Sequence, residues 1–108
     1  MRLIMVTLAP RGRYSAGEPR AAEISDVMWV FATPEAQLEH VSIRSGACRI
    51  HLGFYSRLDS AAAAEATTAI CRRALASSPL LRGWEVAALG PAPEGPGPGP
   101  DPGLDPAP

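Results

Sequence analysis

The chain has no lysine and no asparagine, and its aromatics are two tryptophans, two tyrosines and two phenylalanines in 108 residues. All ten basic residues are therefore arginine. A bias that complete reads as the codon pressure of a genome rich in G and C, not as an arginine-based binding design. Charge of one sign is also missing: ten basic side chains face eleven acidic ones, for a formal net charge of −1. That balance lacks the excess that nucleic acid or an acidic membrane surface requires. Cysteine is scarce, with Cys48 and Cys71 far apart, so neither the close-spaced pairs of a zinc site nor a disulfide framework is present. Long apolar runs are absent too. Leu3 to Leu8, closed by Pro10 and Arg11, is too short for a signal-peptide core, and no stretch approaches the length of about 18 residues that spans a membrane. The chain reads as cytoplasmic, with both thiols reduced.

Proline and glycine are concentrated at one end. Residues Gly90 to Pro108 hold eight of the twelve prolines and five of the ten glycines. This divides the chain into a folded domain over 1–89 and a disordered Pro/Gly-rich tail over 90–108. About ninety residues suffice for one two-layer core.

Within the domain, Leu3 to Ala9 is a β-branched apolar run that predicts a strand buried on both sides in mid-sheet. From Pro19, Ala21, Ile24, Val27, Met28 and Phe31 recur at helical spacing, predicting a helix to about Ala32. Between Gln37 and Tyr55, a two-residue turn at Ser45-Gly46 pairs Ile43 with Cys48, Val41 with Ile50, Ser42 with Arg49 and His40 with His51. One face of this hairpin is then apolar and the other polar, an agreement that a one-residue slip would destroy. A competing helix starting at Thr33-Pro34-Glu35 and capped at Gly46 has fair end signals but only a thin apolar stripe. Ser60 to Ser77 is the clearest helix, capped by Asp59 or Ser60, with Ala63, Ala66, Thr67, Ile70 and Ala74 along one side. Gly83 to Leu89 predicts a last strand.

The order strand, helix, strand, strand, helix, strand resembles the ferredoxin-like βαββαβ superfold. The resemblance implies an α+β domain in which a four-stranded antiparallel sheet carries both helices on one face. It is topological only, so it carries no function with it.

Several constellations are weighed against that scaffold. Cys48 and Cys71 are expected to point into the core as small hydrophobes. His40 and His51, opposed across the hairpin, could share a metal or respond to pH, but no third ligand is supplied and Arg49 repels a cation, so no metal or cofactor is expected. Gly12 and Gly17 superficially match a phosphate loop, yet Glu18-Pro19 stands where the Lys-Ser/Thr pair belongs. Arg11, Arg13 and Arg20 around the helix start could at most contact an anion. RNA-recognition modules share the topology, but Arg49, His51, Gly53 and Tyr55 do not reproduce their Gly-aromatic run, which argues against nucleic-acid binding. Glu85 and His51 are too far apart to form an acid-base pair.

What remains is the sheet face opposite the helices. Leu3, Met5, Thr7, Ala87 and Leu89 are expected to make one half of it apolar, while His40, Ser42, Arg49, His51 and Tyr55 make the other half polar. A patch of this kind marks an interface, which points to a non-enzymatic interaction or regulatory module that forms a homodimer or takes a partner protein there. The alternatives are a small dimeric enzyme or ligand binder resembling cofactor-free ferredoxin-like monooxygenases, which would use His51, Tyr55 or Trp84, and a nucleic-acid binder.

Overall fold

A computed structural model describes residues 2–12, 19–46 and 48–92. A loop is expected over Pro10 to Glu18, but Pro10 ends the first strand, and residues 13–18, like the tail from residue 93 onward, lie outside the described residues. The elements are β1 (Arg2–Pro10), α1 (Ala21–Phe31), β2 (Leu38–Ser45), β3 (Ile50–Ser56), α2 (Ser60–Ser77) and β4 (Trp84–Pro91), with 3-10 turns at Pro34–Ala36 and Pro79–Leu81. The four strands form one antiparallel sheet in the order β2-β3-β1-β4, the order of a ferredoxin-like fold.

The core follows from strand alternation. Ile4, Val6 and Leu8 of β1, together with Ile50, Leu52 and Phe54 of β3, are buried on the side that meets Ile24 and Met28 of α1 and Ala63, Ile70, Cys71 and Ala74 of α2. The alanines of α2 let that helix lie close to the sheet. β1 is central, as expected, but it is covered on one face only: Met5 is 42% exposed, on the side away from the helices. Asp59 is the cap of α2, its Oδ1 accepting from the Ala62 N–H at 2.9 Å. By contrast α1 starts two residues after Pro19, with Arg20 at its N-cap and no side-chain cap bond. The end signals at Thr33-Pro34-Glu35 yield only the short 3-10 turn, after which β2 begins.

Two strand readings need correction. The hairpin register places His40 opposite Tyr55, Val41 opposite Phe54, Ser42 opposite Gly53, Ile43 opposite Leu52 and Arg44 opposite His51. The turn therefore lies two residues further along the chain than Ser45-Gly46, with the Gly46 N–H donating to the Arg49 carbonyl at 2.9 Å. The change is a slide by an even number of residues, so every side chain keeps its face while its partner changes. The displaced turn puts Phe54 against Val41. In β4, the register shifts between Thr7 and Leu8 of its partner: Val86 faces Leu8, Ala88 faces Thr7 and Leu89 faces Val6. This bulge turns Leu89 to the helix side, where it packs against the core. β4 also runs to Pro91, and the Ala92 N–H donates to the Leu3 carbonyl at 2.9 Å, so the sheet extends past the expected boundary at Leu89.

Buried Ser56 ties the 3-10 turn to the end of β3. Its hydroxyl donates to the Ala36 carbonyl at 2.7 Å and accepts from the Leu58 N–H at 3.1 Å. Ser56→Ala leaves both groups without that partner and is expected to cost about 1–3 kcal/mol of stability, measured by urea denaturation.

Candidate functional site

The open face of the sheet is built by cross-strand rows. One row runs His40, Tyr55, Leu3; the next Ser42, Gly53, Met5, Gly90; the next Arg44, His51, Thr7, Ala88. Glu85, opposite Ala9, lies on the β4 edge of the same face. Alternation brings Leu3, Met5, Thr7, His40, Ser42, His51 and Tyr55 together as the sequence suggests. Arg49 and Leu89 do not belong to the face. Arg49 sits in the hairpin loop, where its Nη1 donates to the Cys48 carbonyl at 2.8 Å, and Leu89 has been turned inward by the bulge. Ala87 is the extra residue of that bulge, so Ala88 takes the place facing Thr7.

The opposed histidine pair is not formed. His40 packs on Tyr55 with ring centroids 5.4 Å apart, and His51 shares a hydrogen bond of 3.3 Å with Thr7, between its Nδ1 and the threonine Oγ1. The residue that sequence reading missed is Arg44, which takes the place beside His51 that had been given to His40. Its only signal was the even slide of the hairpin, which alternation alone cannot reveal. Among the described residues, Arg44 makes no ion pair, whereas Glu39 is engaged by Arg57 at 3.4 Å.

At the middle of the face, Gly53 leaves a depression of about 370 Å³ bordered by Met5, Ser42, Arg44 and His51. The backbone there is crowded on the sheet surface: a Cβ on Gly53 would meet Ser42 Oγ at 2.6 Å and Leu3 Cδ1 at 3.1 Å. Glycine is thus the residue that lets these side chains converge. A second depression of about 380 Å³ lies on the helix side, between the 3-10 turn at Pro34–Ala36 and α2. It mixes Glu35, Glu65 and Arg73 with alanines.

The other candidates separate. Trp84 is buried on the helix side of the sheet, while His51 and Tyr55 line the opposite side, so these three residues cannot share one chamber. Glu85 is separated from His51 by β1 and by two residues along it. Arg11 and Arg20 have exposed side chains, and Arg13 lies outside the described residues. Among the described residues, no group of three His, Cys, Asp or Glu side chains could hold a metal ion. No helix among them is long and apolar enough to cross a membrane.

The two cysteines also part company. Cys71 is buried in the core, and burial pushes its thiol from the usual 9.0 up to about 12. Cys48, expected inside, is exposed because the hairpin turn lies further along the chain and includes it.

No protein-family model matches the chain, and no curated protein or solved structure matches it.

A thiol reagent such as dithionitrobenzoate is expected to titrate one fast cysteine in the native protein and two after denaturation, with Cys48→Ser abolishing the fast one. Because the fold favours the neutral Cys71 thiol, its contribution is whole below about pH 9 and is lost as pH rises through about 12. Urea midpoints should fall over that alkaline range in wild type, and less steeply in Cys71→Ala, which has no thiol to ionise.

Proposed function

We propose that the chain is a non-enzymatic interaction module that pairs with a second copy of itself through the open sheet face. The observation that carries this reading is the self-complementary relief of the face: Met5, 42% exposed, stands beside the depression over Gly53 and is its register partner. A two-fold axis parallel to the strands and between β1 and β3 exchanges those two strands. It therefore brings Met5 of each copy to the row of Ser42 and Gly53 of the other, at the border of the hollow there, on both sides of the axis. The same rotation sets Leu3 over Tyr55 and Thr7 over His51.

Charge is compatible with that arrangement. Arg44 lies on the β2 edge and Glu85 on the β4 edge, and the axis exchanges the edges, so like charges stay apart. The space between sheet and helices supports a structural rather than a chambered interior, since Ala63, Ile70 and Cys71 fill it against Ile4, Val6 and Leu8. A ligand-binding role is favoured second, by the polar side chains around the depression.

Sedimentation equilibrium at micromolar concentration is expected to find a dimer. Leu3→Glu sets a carboxylate against Tyr55 of the other copy, two rows away from Arg44, and should weaken association at least tenfold, the result of burying an unpaired charge. Trp29 and Val30 also stand exposed, 43% and 74%, on α1. A wild-type monomer, or a dimer broken by Trp29→Ser/Val30→Ser and not by Leu3→Glu, overturns the reading.

A further inference from the structure

The paired face leaves one charge without an answer. Arg44 has no ion-pair partner among the described residues, and it belongs to the row Arg44, His51, Thr7, Ala88. In the pairing described above, Arg44 of one copy lies over Ala88 of the other, a methyl group with nothing to offer a guanidinium. Glu85 of the second copy is in the row of Ala9, about 7 Å further along the strands. Pairing thus withdraws water from a cation and supplies no counter-charge, a cost that an anion would remove.

The surroundings of Arg44 suit such an anion. Ser42 brings a hydroxyl to the same depression, and His51 brings an imidazole whose Nδ1 is already occupied by Thr7. In the tautomer in which the Thr7 hydroxyl donates to Nδ1, Nε2 carries the ring N–H and is the donor that His51 offers an anion. A planar guanidinium offers two parallel N–H groups, the arrangement that matches an oxyanion. Among the described residues, no carboxylate borders the depression. The second copy's methionine side chain is too small to fill about 370 Å³, and what it leaves is the end bordered by Arg44, Ser42 and His51.

We propose that the paired sheets enclose two symmetry-related sites for a small oxyanion, held in each by Arg44, His51 and Ser42 and roofed by the second copy, so that anion binding and self-association are coupled. The inference rests on the pairing reading for its roof, while its ligating side chains all come from one chain. The ligand class is a carboxylate or phosphate group on a molecule with little bulk, since Met5 of the second copy closes the Gly53 end.

The test uses the full chain, with inorganic phosphate and acetate as probes and chloride as control at constant ionic strength. Sedimentation equilibrium should show tighter dimers in one or both probes. At ten times its dissociation constant, an anion at two sites that exist only in the dimer tightens association by about 100-fold. Backbone amides of Ser42, Arg44, His51 and Gly53 should shift saturably in the same titration. Arg44→Gln should remove both effects yet still dimerise, and His51→Phe should weaken them, with amide fingerprints confirming that each variant is folded. A response to phosphate alone assigns the site to phosphate groups, and a response to acetate alone assigns it to carboxylates. A dimer whose association is the same in all three salts, with no saturable shifts, overturns the oxyanion sites and leaves the pairing standing. Saturable binding to Leu3→Glu monomers with undiminished affinity overturns the enclosed form of the proposal. A chain that is monomeric in every salt overturns the pairing reading, and the roofed sites fall with it.

Discussion

The alternation of β1 is the constraint on which the rest depends. The strand lies between β3 and β4, and its even positions Ile4, Val6 and Leu8 are all buried under the helices. Those three side chains fix which face of the sheet α1 and α2 must cover, and by doing so fix that Leu3, Met5 and Thr7 lie on the other. A central strand that is apolar on both faces cannot be satisfied by one layer of helices. Its second face must therefore stay wet at a cost or find cover elsewhere.

Most of the architecture was legible in the chain because it depends on parity, and parity is local. Ile43, Val41, Ile50 and Leu52 announce the core side of the hairpin wherever along the chain an even slide puts the turn. What parity cannot announce is the partner. Ser45-Gly46 has the composition of a tight hairpin turn, but the reward for sliding onward is the pairing of Val41 with Phe54 and of Leu38 with Ser56. The preference lies in the far ends of the strands, outside the turn, and so local turn chemistry misjudged it. Everything tied to the partner changed with it: the histidine pair dissolved, Cys48 moved into the loop, and Arg44 arrived beside His51.

The inward turn of Leu89 had a signal that alternation overlooks. Trp84, Val86 and Leu89 are the large apolar residues of β4, and the spacing of three between the last two cannot keep both on one side of a regular strand. A bulge resolves it, and Ala87 and Ala88 are small enough to accept one without losing packing. The open face is consequently less apolar along β4 than strict alternation implies, with Ala88 and Gly90 rather than Leu89 opposite Thr7 and Met5. The apolar weight of the face falls instead on β1, next to Gly53.

Gly53 joins these lines of argument. Glycine inside a strand weakens it, through chain entropy and the missing side chain, and β3 is an interior strand of this sheet. The position nonetheless has little room for anything larger, with Ser42 Oγ only 2.6 Å from where a Cβ would stand. A residue that is poor for the strand is thus the one that lets Ser42 and Leu3 close over the backbone. The hollow beside it is edged by Met5, Ser42, Arg44 and His51. The relief of the face thus arises from the same local choice that sets the packing of β2 on β3. A larger residue there would have to displace Ser42 or Leu3 from the sheet surface, and so would alter the strand pairing and the hollow together.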